Sequence, residues 1–252
     1  MKRNSWRVVG VVLVVAGLAG LVFPPLMGST SDMGSQSFSD ATVVEFDLSN
    51  SPVEFRTGGQ GEVVVEYTFS TGFLRAAGIT IDQTDDVLRF EQTCPSFFSW
   101  GCQASFDVSV PAGVGVAGST SNGSIVLSGL AGPVDVGTSN GPVTLEDVSA
   151  DSVVVSTSNG AIRGEGLGSD EFDVETSNGR ITLSFDVAPR SVSARSSNGA
   201  IELSLPGDAP PYAMDTSTSN GTVDTDIRTD PAAPLSISLR TSNGDITVGY
   251  LD

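Results

Sequence analysis

The sequence predicts an all-β fold: a single-stranded, β-helix-like β-solenoid with an N-terminal antiparallel β cap and one N-terminal transmembrane helix. Three observations predict it. Seven Ser-Asn-Gly triplets begin at Ser121, Ser139, Ser158, Ser177, Ser197, Ser219 and Ser242, with successive gaps of 18, 19, 19, 20, 22 and 23 residues, a period that marks stacked supersecondary units. Apolar and polar residues alternate on both sides of each triplet, as in a strand with one buried face. After residue 27 no long helical pattern occurs, and Val and Thr, which favour strands, recur between the turns.

Residues 1–27 read as a membrane anchor or signal peptide. Lys2, Arg3 and Arg7 precede an apolar or small-residue run over 8–23, which Pro24 and Pro25 end before Leu26 and Met27. About 20 residues are needed to cross a bilayer core, and flanking positive charge keeps the N-terminus in the cytoplasm. The expectation is an uncleaved, single-pass anchor in the cell membrane with the C-terminal domain extracellular. The alternative is secretion after cleavage around residues 16–20. No cysteine near the segment could accept a lipid, so a lipoprotein is excluded.

Residues 28–40 read as a linker and 41–118 as an N-terminal β section, with strands at 42–48, 53–56, 62–69, 79–83, 87–92 and 105–110. This section is expected to cap the first coil, because an open strand edge invites aggregation. Within it, Leu48-Ser-Asn-Ser-Pro-Val53 looks like a degenerate repeat, so the first coil can begin before Asn122. Cys94 and Cys102 are the only cysteines and bracket Pro-Ser-Phe-Phe-Ser-Trp-Gly. Outside the cell they are expected to form a disulfide that pins a local loop. A metal role is poorer, since the chain has no histidine to complete a ligand set.

The solenoid is assigned to 119–252. Two residues before the asparagines Asn122, Asn140, Asn159, Asn178, Asn198, Asn220 and Asn243 stand the hydroxyls of Thr120, Thr138, Thr157, Thr176, Ser196, Thr218 and Thr241. Mostly apolar residues fall four and six before the asparagines, as in Val136 and Val134, and in most coils three and five after, as in Ile125 and Leu127. Parity slips by one at the triplet. Each Asn-Gly is therefore expected to bend the chain with its apolar side kept inward, the glycine accepting a positive φ. A third apolar point follows at Leu130, Val148, Leu167 and Val187. Asn-Gly between alternating strands is also a hairpin signal. Identity from unit to unit favours the solenoid, where residues stacked about 4.8 Å apart form hydrogen-bonded ladders. The seven asparagines and seven hydroxyl residues are accordingly read as structural ladders. Asn122-Gly-Ser124 and Asn220-Gly-Thr222 are also glycosylation sequons, expected to be inaccessible as ladder members.

The 39% hydrophobic content suffices for a continuous core, and the formal net charge is −18 with Lys2 the only lysine. Such a field repels nucleic acid. An acidic surface without lysine suits concentrated salt, where screening removes self-repulsion. Ordinary acidity for solubility is the alternative, since only 17% of residues are charged. Cation binding finds no D-x-D-x-D-G loop and no glycine-aspartate nonapeptide.

Following Ser105, Phe-Asp-Val-Ser-Val-Pro-Ala-Gly-Val-Gly-Val leads into tandem T-S-N-G-x-I-x-L units, a sequence that resembles the DUF4097 family of β-strand repeat proteins over roughly residues 42–248. The likeness is of a haloarchaeal type. It implies a right-handed β-solenoid without established enzymatic activity, in surface or membrane-associated proteins labelled adhesins by analogy of fold. The residues themselves agree. No Ser-His-Asp or Cys-His arrangement is possible without histidine, and outward strand positions vary from coil to coil, as at Asp135, Ser156, Asp173, Ser193 and Asp215. The expectation is a non-enzymatic, membrane-anchored module for interaction, adhesion or envelope scaffolding. Its partner would be a surface protein or a glycan, with no cofactor. The alternative is an extracytoplasmic sensing subunit of an envelope-stress or transport system, and less favoured is an enzyme acting on polysaccharide.

Overall fold

The computed structural model describes residues 30–58, 61–71, 78–93 and 102–251. The expected anchor, residues 1–27, and Cys94 of the expected disulfide lie outside the described residues. Among the described residues no helix is long and apolar enough to cross a membrane.

The described chain is all β. Ahead of the repeats run β1 (Thr30–Ser39), β2 (Val43–Leu48), β3 (Val53–Thr57), β4 (Glu62–Thr71), β5 (Gly78–Thr84), β6 (Val87–Thr93) and β7 (Cys102–Val110). Each repeat then supplies one strand before its triplet and one after. These pairs are β8 (Gly115–Thr120) with β9 (Ile125–Ser128), β10 (Val134–Thr138) with β11 (Val143–Glu146), and β12 (Ser152–Thr157) with β13 (Ile162–Leu167). They continue as β14 (Glu171–Thr176) with β15 (Ile181–Phe185), β16 (Ser191–Ser196) with β17 (Ile201–Leu205), β18 (Ala213–Asn220) with β19 (Val223–Thr225), and β20 (Ser236–Asn243) with β21 (Ile246–Tyr250).

Strands preceding a triplet join a ten-stranded front sheet, and strands following it join an eleven-stranded back sheet. Pairing among the repeats is parallel and sets like beside like: Val134 lies between Val116 and Val153, and Thr138 between Thr120 and Thr157. Buried Val, Ile and Leu from both sheets fill the space between them.

At both ends the spatial order departs from the chain order. The front sheet runs β18-β20-β16-β14-β12-β10-β8-β2-β6-β5, and the back sheet runs β1-β4-β7-β3-β9-β11-β13-β15-β17-β21-β19. Residues 41–118 are therefore not a purely antiparallel cap. β2 with β3, and β6 with β7, are two further parallel coils of the stack. Only β1, β4 and β5 are antiparallel. The stretch read as a linker is mostly strand, since β1 pairs along its whole length with β4.

At the far end the last repeat in sequence, β20 with β21, inserts between β16/β17 and β18/β19. Polarity explains the exchange. The inward positions of the last repeat are Ile237, Leu239, Ile246 and Val248, all at most 1% exposed. The aligned positions of β18 and β19 are Met214, Thr216, Val223 and Thr225. With Thr216 and Thr225 at two of these positions, the more polar coil takes the end of the stack, as capping repeats do. Residues 226–235 carry the chain back across this end, held where Arg228 N–H donates to Tyr250 Oη at 2.9 Å and Asp230 N–H to Tyr212 O at 2.9 Å.

One row of the core differs from the sequence expectation. Leu130, Val148 and Leu167 are buried as a third apolar row, but Val187 is 58% exposed. Phe185 pairs with Leu167 in its stead and packs edge-on to Phe172 at 5.1 Å, so the larger ring fills that row two residues early. In the N-terminal coils Phe46, Phe55, Phe90 and Phe106 form a cluster with centroid distances of 5.1 to 6.3 Å. Gly118 makes room for it, because a Cβ there would lie 2.7 Å from the Phe46 ring.

Candidate functional site

The corner of each coil is where the repeated residues meet. Thr138 Oγ1 donates to Gly123 O at 3.0 Å in the neighbouring coil and accepts from its own Gly141 N–H at 3.1 Å. Thr157 repeats this with Gly141 O and Gly160 N–H, both at 3.1 Å. Thr120 donates to Ser51 O at 3.2 Å, Thr176 to Gly160 O at 2.9 Å and Ser196 to Gly179 O at 3.0 Å. At the exchanged end Thr241 donates to Gly199 O and Thr218 to Gly244 O, both at 2.9 Å. The row thus follows spatial order. Except for half-buried Thr218 these hydroxyls are buried, where an unpaired polar group would cost about 1–3 kcal/mol.

The triplet glycines do not have positive φ. Their requirement is close approach: a Cβ at Gly141 would lie 1.8 Å from Gly123 O, and one at Gly160 would lie 1.7 Å from Gly141 O. Only a residue without a side chain lets successive corners stack this tightly.

The asparagines form a second row outside the first. Nδ2 of each donates to Oδ1 of the next in the order Asn220, Asn243, Asn198, Asn178, Asn159, Asn140, Asn122, Asn50, at 2.5 to 2.9 Å. All seven triplet asparagines are exposed, so ladder membership does not make them inaccessible. Asn50 is an eighth member, in the degenerate repeat at 48–53. Beside it Ser51 replaces glycine and is buried, its Oγ donating to Gln92 Oε1 at 2.5 Å and accepting from Ala104 N–H at 3.2 Å.

With the corners committed to the stack, the outward faces carry the variable chemistry. On the front sheet one outward row reads Arg89, Glu45, Ala117, Asp135, Val154, Asp173, and the next reads Glu91, Asp47, Ser119, Gly137, Ser156, Glu175. At β8, β10 and β12 the side chains shrink to Ala117, Ser119, Gly137 and Ser156, leaving a low platform between charged walls, interrupted by Asp135 and Val154. One wall is the Arg89–Glu45 ion pair, whose hydrogen bond raises the Arg89 pKa further; the other is Arg195–Asp173 at 3.3 Å. Two adjoining depressions of about 330 and 440 Å³ meet at Ala117. Val154, 39% exposed, gives the second an apolar margin. Composition alone did not reveal this platform, because it arises from the register of three separate repeats.

The remaining perturbed groups lie at the exchanged end and hold the coils together. Tyr212 is buried and its hydroxyl donates to Pro189 O at 2.9 Å; burial pushes its pKa up to about 12. The Thr222 N–H and Oγ1–H donate to Asp245 Oδ1 at 2.8 and 2.9 Å and hold that carboxyl below its usual range. Among the described residues no three or more His, Cys, Asp or Glu side chains converge as a metal site.

The stacked coils can be compared with known proteins. The family described as Toastrack DUF4097 matches residues 104–249, more than half of the chain. The chain belongs to the Toastrack DUF4097 family. In solved structures this Toastrack fold is similar to a Bacteroides fragilis protein named a "putative adhesin", with 12% identity and a TM-score of 0.54, over 88% of this chain and 97% of that one. It is also similar to two Parabacteroides distasonis proteins, named a "putative adhesin" and a "putative lipid binding protein", each 14% identical over 88% of this chain and 97% of theirs, with TM-scores of 0.45 and 0.44. At these identities the likeness is one of fold. No curated protein matches the chain.

Proposed function

We propose that this Toastrack chain is a non-enzymatic cell-surface module, anchored by residues 1–27, that binds a surface protein or glycan across its front sheet. The platform on β8, β10 and β12 carries the reading. Ala117, Ser119, Gly137 and Ser156 have little side-chain freedom to lose on binding, and the parallel stack beneath holds their backbone in place. Paired charges at the two walls orient a partner more than they add affinity. The non-enzymatic reading is supported by the scatter of perturbed groups, since Arg89 lies on the front face while Tyr212, Asp245 and Tyr250 serve contacts within the stack. The Bacteroides fragilis neighbour, named a "putative adhesin", points the same way.

The test is retention of the purified chain on envelopes from its own cells. Ser119→Arg with Ser156→Arg fills the platform from exposed positions, where substitutions shift stability by about 0.5 kcal/mol or less. Retention is expected to fall at least about tenfold, roughly 1.4 kcal/mol of binding, at unchanged melting temperature. Undiminished retention of the double variant would contradict the platform as the site. Protease added to intact cells should remove the coils, and protection would contradict the topology.

A further inference from the structure

The asparagine ladder treats its members unequally. Asn140, Asn159, Asn178, Asn198 and Asn243 each set Nδ2 near two acceptors of the neighbouring coil, the asparagine Oδ1 at 2.7 to 2.9 Å and a serine carbonyl at 3.3 to 3.5 Å. Among the described residues Asn122 and Asn220 make only the first contact, which leaves one amide hydrogen uncommitted. These two are also the asparagines with a hydroxyl two residues on, at Ser124 and Thr222; the other five continue Gly-Pro, Gly-Ala, Gly-Arg, Gly-Ala and Gly-Asp. Asn122 lies inside the ladder, between Asn50 and Asn140. Asn220 ends it, exposed on the terminal coil with no further coil beyond among the described residues.

We propose that Asn220 is an N-glycosylation site, taking a glycan on Nδ2 from a polyprenyl-phosphate-linked oligosaccharide on the outer side of the membrane. This rests on the reading of residues 1–27 as an export segment. The transfer forms a bond from Nδ2 to the anomeric carbon and breaks that carbon's bond to the phosphate oxygen. The amide proton leaves to the released phosphate, and nothing is oxidised or reduced. Nδ2 keeps one hydrogen, sufficient for its 2.9 Å bond to Asn243 Oδ1, so the ladder loses no link. Because Asp245 occupies both Thr222 N–H and Oγ1–H in the folded chain, transfer precedes docking of the terminal coil. The glycan then sits at the corner between β18 and β19, the outer strands of the two sheets, where a bulky hydrated group blocks edge-to-edge pairing with other chains.

Cleavage after Arg195 and Arg228 releases peptide 196–228, which holds Asn220 together with Asn198 as an internal control outside any sequon. Mass spectrometry of this peptide, from full chain purified from its own cells, is expected to show a glycan on Asn220 and none on Asn198. The added mass should vanish in Asn220→Gln and Thr222→Val and persist in Thr222→Ser, which keeps the sequon hydroxyl. An unmodified Asn220 in chain that protease reaches on intact cells overturns the proposal and leaves the surface reading standing. Chain that is protected inside intact cells overturns both.

Discussion

Thr157 and Asn159 sit two positions apart in one corner, yet they do different work. The threonine hydroxyl is buried and bridges two backbone groups, the Gly141 carbonyl and the Gly160 N–H. The asparagine amide is exposed and bridges only side chains and a distant carbonyl at 3.4 Å. Thr157→Val, which keeps shape and removes both bonds, is expected to cost about 1–3 kcal/mol. Asn159→Ala should cost about 0.2–1 kcal/mol, the range of an exposed cross-strand pair. Urea denaturation of the two variants checks the order, and a larger loss from Asn159→Ala would contradict the division into an inner and an outer row. Both rows were legible in the sequence, because identity at fixed spacing is visible without coordinates. The reason for the glycine was not. It lies in a carbonyl of the preceding coil, 19 residues away between Gly141 and Gly160, and local turn chemistry suggested positive φ.

At the scale of elements, strand type and most strand positions followed from alternation, since each coil has one buried and one solvated face. The order of the coils did not follow. Period alone places each repeat beside its sequence neighbour, and only the threonines Thr216 and Thr225, in place of Leu239 and Val248, hint that β18 and β19 belong at the end. The exchanged arrangement makes Asp245 a clasp between β21 and the terminal coil. Its carboxyl is depressed by the Thr222 donors, so its contribution is present above the ordinary value of 3.8 and lost as pH falls through the depressed one. Hydrogen exchange at residues 222–225 is therefore expected to be protected near neutrality and to lose protection in acid before the inner coils do. Asp245→Ala should show the unprotected behaviour at neutral pH. Equal protection in the variant and the native chain at neutral pH would remove Asp245 from this role.

Over the whole molecule, coils contact mainly their neighbours, so stability accumulates along the stack and each coil depends on the one beside it. The front platform exists only because β8, β10 and β12 lie side by side, and its small side chains come from three repeats that say nothing singly. That is why the composition of the chain suggested a surface module without locating the face proposed to bind. Parallel stacking and the exchanged end can be tested together with engineered disulfides, which close only when Cα atoms lie about 4.4–6.8 Å apart. Ser193 faces Ser238 across β16 and β20, whereas Asp215 on β18 faces Ser238 and not Ser193. Ser193→Cys with Ser238→Cys is predicted to oxidise to a cross-link without loss of melting temperature, and Ser193→Cys with Asp215→Cys to stay reduced. Ready closure of the second pair and not the first would mean that the coils stack in chain order, contradicting the arrangement described above.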